Sequence, residues 1–183
     1  MSEELMVRNC APTLAGIKTG NMFLAPYADE AEMISDIRSW NRRFADKGLR
    51  VLPMRYRENK ALIYVYRPKC LACDLKNESV CRLLNRCGYL AESPDRCVVH
   101  LLKRMKECGE FPHEVGLFLG YPPEDVYGFI ENNAKKCKCV GYWKVYGDEE
   151  KAKKTFAKYK KCTDIYSYLY ACGQSVERLA VAG

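Results

Sequence analysis

The chain has 183 residues, enough for one well-buried core and little beyond it. At 48% hydrophobic and 29% charged, it reads as one globular domain over 1–183, with no disordered or low-complexity tract. Its formal charge of +7 is concentrated: the ten lysines from Lys135 to Lys161 are opposed only by Asp148, Glu149 and Glu150, a local excess equal to that of the whole chain.

No apolar run approaches the roughly 18 residues of a membrane span. The opening MSEELMVRNCAPTLAG carries acids where an export signal carries bases. Eleven cysteines, an odd number, without an export signal argue against a disulfide framework, so reduced thiols in the cytoplasm are expected. The lysine segment suits a small anionic ligand or an acidic partner protein, or is simply a solvated helix face. It contains no arginine, which disfavours nucleic acid.

In chain order, Pro12 in NCAPTLAG is placed to begin a short helix, and KTGNMFLAPY sets an apolar patch between turn residues. Residues 29–47 predict a helix with Met33, Ile37, Trp40 and Phe44 on one face and Gly48 as its stop. RVLPMRY and ALIYVYR flank RENK as a β-hairpin, with Pro53 marking an edge strand or a bulge. ESVCRLLNRCGY predicts a helix closed by Gly88. Ser93-Pro94-Asp95 caps the next, whose inner side carries Cys97, Leu101, Met105 and Cys108.

FPHEVGLFLGYPPEDVYGFI predicts a strand over 115–119, apolar on both faces and therefore central in a sheet. Gly120-Tyr121 turns the chain, and Pro122 or Pro123 starts a helix with Glu124 and Asp125 in its first turn. Gly128 costs that helix about 1 kcal/mol against alanine and points to close packing. KCKCVGYWKVYG reads as a further strand. Asp148 caps a long helix with Ala152, Phe156, Tyr159, Tyr166 and Tyr170 inward, and SVERLAVAG ends as a strand or docked coil. The fold expected is α/β or α+β: a mixed sheet of four to five strands covered by helices.

Cysteine motifs raise a metal reading. Cys70 and Cys73 form a C-x-x-C, and Cys81 and Cys87 complete a possible four-thiolate set. Cys87, however, lies on an apolar helix face, and the second spacing is not that of a zinc knuckle, so no metal is the preferred reading. A thioredoxin-like pair is the other option, since Arg67-Pro68-Lys69 follows a strand. Cys10, before a helix start at Pro12, would have its thiol activated by the helix dipole, with Lys18 nearby to assist or to hold an anion. His113 and Glu114 are adjacent and so point apart on a strand, which denies them a joint acid–base role. No nucleotide fingerprint, phosphate loop or paired-histidine motif occurs, and no cofactor is implied.

RNCAPTLAGIKTG, FPHEVGLFLGYPPEDVYGFI and YWKVYGD together resemble a bacterial family, typical of anaerobes, catalogued only as a domain of unknown function. The resemblance covers nearly the whole chain and implies a single cytoplasmic domain without an assigned activity. Its phrases direct attention to Cys10, Lys18, His113, Glu114, Tyr121, Lys144 and Tyr146. On this basis a ligand- or partner-binding regulatory module is expected. The alternative is a small thiol-dependent redox or transfer enzyme using Cys10, assisted by His113 or Lys18. With a strand at 115–119, His113 and Tyr121 would stand at opposite ends and could not serve one site.

Overall fold

A computed structural model describes residues 1–90, 93–107 and 111–183. The chain divides into two compact units, Met1–Cys70 with Lys161–Gly183, and Leu71–Lys160. Among the described residues no helix is long and apolar enough to cross a membrane.

The first unit begins with α1 (Glu3–Leu14), capped by the Ser2 side chain and carrying Glu3 and Glu4 in its first turn. The helix therefore does not start at Pro12; Pro12 lies in its last turn, and Gly16 turns the chain at a φ of 72°. Next come β1 (Gly20–Pro26), α2 (Glu30–Arg43), a 3-10 turn at Ala45–Lys47, β2 (Arg50–Arg57) and β3 (Lys60–Tyr66). Both β1 and β2 pair antiparallel with β3, giving the order β1-β3-β2 and a split β-α-β arrangement. β2 is an edge strand with a register shift between Pro53 and Arg55, so the proline marks both an edge and a bulge. Glu58 and Asn59, with φ of 50° and 57°, close the expected hairpin.

Alternation along the strands sends Phe23, Ala25, Val51, Ala61, Ile63 and Val65 into one core. Met6, Val7 and Leu14 of α1 and Met33, Ile37 and Trp40 of α2 pack into the same core, with Phe44, Leu49, Val176 and Leu179. Asn41 exchanges two hydrogen bonds with the Val51 backbone, at 2.8 and 2.9 Å, and so fixes α2 on β2. The tail forms a short helix, α9 (Val176–Leu179), in place of a strand, and Val181 N–H donates to the Leu14 carbonyl.

Arg67, just past β3 and 2% exposed, donates to the carbonyls of Thr13 (2.7 Å), Leu14 (2.8 Å), Lys47 (3.1 Å) and Val181 (2.7 Å). Thr13 and Leu14 are end carbonyls of α1, which lack helical N–H partners. A planar, five-donor guanidinium suits such a divergent set.

The second unit holds most of α3 (Pro68–Asp74), then α4 (Glu78–Arg86), α5 (Pro94–Glu107), α6 (Val115–Phe118), α7 (Pro123–Glu131), β4 (Cys139–Val140), β5 (Lys144–Val145) and the first part of α8 (Glu149–Ala171). α4 closes at Gly88 with a φ of 84°, and α5 buries Cys97, Leu101 and Met105 as expected; Cys108 lies outside the described residues. The fold is mixed α/β, with an antiparallel three-stranded sheet and a separate two-stranded one among the described residues. Residues 115–118 are helical, so the predicted central strand is absent there, and 137–146 is a hairpin of two two-residue strands.

Replacing Arg67 leaves four carbonyls without its N–H groups, those of Thr13 and Leu14 buried and those of Lys47 and Val181 partly so. Arg67→Met is expected to lower stability by about 3 kcal/mol or more in urea unfolding. Arg67→Lys should recover only part of this, because an ammonium cannot reach all four. A loss under about 1 kcal/mol for the methionine variant would contradict this role.

Candidate functional site

The site is built from the segment that resembled a strand. After the single turn of α6, Gly120 takes a left-handed φ of 74°. Tyr121 N–H then donates to the Gly116 carbonyl at 2.9 Å and Gly120 N–H to Leu117 at 3.2 Å, the paired bonds of a Schellman ending. Pro122-Pro123 launches α7 at once. A Cβ on Gly116 would lie 2.7 Å from Val126 Cγ2, so glycine is required for α6 to meet α7.

Asp125, in the first turn of α7, is 3% exposed. Its Oδ2 accepts from Trp143 Nε1 at 2.6 Å, and its Oδ1 accepts from the N–H groups of Tyr146 and Gly147, both at 2.7 Å. The residue expected to complement its own helix dipole is thus turned toward the β4–β5 hairpin and ties it to α7. Tyr146 packs against Gly128, where an added Cβ would stand 2.5 Å from both its Cβ and its Cγ. The close packing expected at Gly128 is against this tyrosine.

Between α6, α7 and the hairpin opens a cavity of about 280 Å³. Phe129, Val140 and Trp143 supply apolar wall, and His113, Tyr121 and Lys144 line the same space. The His113 ring meets Phe129 edge-on at 5.0 Å, and Tyr121 packs on Trp143 at 4.8 Å. Lys144 Nζ donates to the Ala134 carbonyl at 2.8 Å and stands 5.8 Å from the Phe129 ring centre. Burial pushes the Tyr121 hydroxyl up to about 12, which keeps it a donor, and it reaches the Tyr142 carbonyl at 3.1 Å. The separation of His113 from Tyr121 is corrected by the helical turn: α6 and the Schellman ending fold the chain back, and both residues face one cavity.

Other residues singled out from the sequence lie elsewhere. Glu114 is buried away from the cavity, where it accepts from Tyr89 Oη at 2.8 Å and has Arg104 Nε 2.9 Å away as an ion pair. Burial, with Glu114 beside it, raises the Tyr89 hydroxyl well above its ordinary value. Cys10 is fully buried inside α1, near its C-terminal end and not at its start, so the positive pole of the dipole does not act on it. Burial drives its thiol far above the ordinary 9.0, with Lys18 acting in the opposite direction. The Lys18 ammonium donates to the Gly20 carbonyl and is lowered by burial to about 7.

Cys70 and Cys73 both lie on α3, the first half-buried and the second exposed, while Cys81 Sγ donates to the Leu75 carbonyl at 2.9 Å. Burial also raises the half-buried Cys87 thiol. Among the described residues no three His, Cys, Asp or Glu side chains gather to hold a metal ion. None of the ten described cysteines is in a disulfide. Asp125, Phe129 and Trp143 are not among the candidate site residues that the sequence offers; the Trp143 and Asp125 pairing spans 18 residues, and no local pattern announces it.

Taken together, these features define a mixed α/β protein with an aromatic cavity held between short helices and a hairpin. The chain belongs to the family described as protein of unknown function (DUF3793), whose model matches residues 6–180. No curated protein matches the chain, nor does any solved structure.

The buried Lys18 makes stability depend on pH. Its folded value of about 7 lies below the ordinary 10.5, so from pH 7 upward the unfolded chain binds the extra proton and stability rises. The slope approaches about 1.4 kcal/mol per pH unit. Above the ordinary thiol value of 9.0 the unfolded chain also loses the Cys10 proton, which the folded chain keeps, and this opposite contribution offsets further gain. Urea midpoints should therefore climb between pH 7 and 9 and level off above, and Lys18→Met should remove the climb. An equal climb in that variant would contradict the assignment.

Proposed function

We propose that this protein is a small-molecule-binding module, and that the cavity between α6, α7 and the β4–β5 hairpin is its site. The observation that carries the reading is convergence. His113, Tyr121 and Lys144, separated in sequence, line one cavity with Phe129 and Trp143. A concave aromatic wall with a few polar groups is the usual make-up of a ligand site. Its chemistry fits a small planar ring that stacks on aromatic faces. We place the module in the cytoplasm, in keeping with an odd cysteine count and no disulfide among the described residues.

The thiol-enzyme alternative draws less support. It needs Cys10 as an accessible thiolate, and Cys10 is fully buried with its proton held more tightly than usual.

The two tryptophans provide an internal control, since Trp40 lies in the core of the first unit and Trp143 in the cavity wall. Titration with naphthamide, a neutral planar probe, should shift the indole N–H resonance of Trp143 saturably and leave that of Trp40 in place. Phe129→Ala should weaken binding by about 1 kcal/mol, or roughly fivefold. Equal movement of both indoles, or none at Trp143 under saturating probe, would contradict the reading.

A further inference from the structure

We infer that the ligand of this cavity is an aromatic carboxylate, its ring against Trp143 and Phe129 and its acid group at Lys144 and His113. The inference rests on the reading of the cavity as a ligand site and adds the chemical class. Four ionisable side chains line the cavity: His113, Tyr121, Asp125 and Lys144. The Tyr121 hydroxyl, which burial keeps protonated, donates to the Tyr142 carbonyl at 3.1 Å. The Asp125 carboxylate is committed to the protein, with Oδ2 on the Trp143 indole and Oδ1 on two backbone N–H groups. Its charge is thereby spread over three donors.

Lys144 is differently placed. One of its three N–H bonds goes to the Ala134 carbonyl at 2.8 Å, which holds the ammonium beside the Phe129 ring. Ala134 belongs to a strained loop in which Asn133, Ala134 and Lys136 have φ of 48°, 60° and 60°, a region that alanine and lysine rarely enter. That backbone aims a carbonyl at Lys144 and fixes a cation at the cavity wall. His113, itself exposed, meets Phe129 in an edge-type ring contact in the same wall. A flat apolar wall ending in a cation and an imidazole is complementary to a planar ring ending in an acid, through stacking and charge-assisted hydrogen bonds.

Isothermal titration of the full chain with three probes of one shape tests this: naphthoate, naphthamide and naphthylmethylamine. Naphthoate should bind about tenfold tighter than naphthamide, with the amine weakest. Lys144→Met should erase the roughly tenfold preference for naphthoate over naphthamide, and Lys144→Arg should restore it. The neutral probe reports whether the cavity of each variant is intact. Acid and amide binding equally well to the wild-type protein would overturn the inference while sustaining the cavity as a ligand site. Tightest binding by the amine would overturn it in favour of Asp125 as the recognition group. Binding by none of the three would overturn both readings.

Discussion

A single buried carboxylate holds the candidate site together. Asp125 stands in the first turn of α7 and takes its three hydrogen bonds from the far side, from the Trp143 indole and the backbone of Tyr146 and Gly147. Hydrogen bonds to a charged group contribute about 1.5–3 kcal/mol each, and an unpaired buried carboxylate is costly, so α7 and the hairpin are fixed as one body. The glycines follow from this tie. Gly128 admits the Tyr146 ring, and an added Cβ on Gly147 would stand 2.6 Å from Glu124 Cγ. Gly116 lets α6 approach Val126 on the other side. The cavity is the space these close approaches leave.

The first unit uses the same principle with the opposite sign. Arg67 is a buried cation surrounded by backbone carbonyls from the end of α1, the 3-10 turn and the tail after α9. In each unit, irregular backbone is gathered on one buried charge, which is how short elements and loops pack without long ladders. The Cys10 and Lys18 pair belongs to this unit's interior. Burial acts on both groups in the direction that suppresses charge, raising the thiol and lowering the ammonium, so the pair favours its neutral form.

Where the sequence carried a complete local signal, the expected element formed. The β2–β3 hairpin has alternating faces and a two-residue turn, α2 has a regular apolar stripe, and α8 has Asp148 capping Lys151 N–H at 3.0 Å. Residues 115–119 failed because a short apolar run has no period of its own, and Gly120 reads equally as a strand break or a helix ending. Only the bonds to Gly116 and Leu117 decide between them. The same error separated His113 from Tyr121, so the two residues were found and their meeting was not. Trp143 and Asp125 join across distant sequence, and a buried acid in a helix's first turn looks like an ordinary dipole partner until its acceptors are seen. At α1 the proline was the misleading signal: a residue that often opens a helix here sits in its last turn.

The central claim is that the space walled by Trp143, Phe129 and Lys144 is occupied by a ligand in the working protein. A crystal structure grown with saturating naphthoate tests it most directly. The account predicts ring density against Trp143, with a carboxylate oxygen about 3 Å from Lys144 Nζ. An empty cavity, or naphthoate bound elsewhere on the molecule, would contradict it.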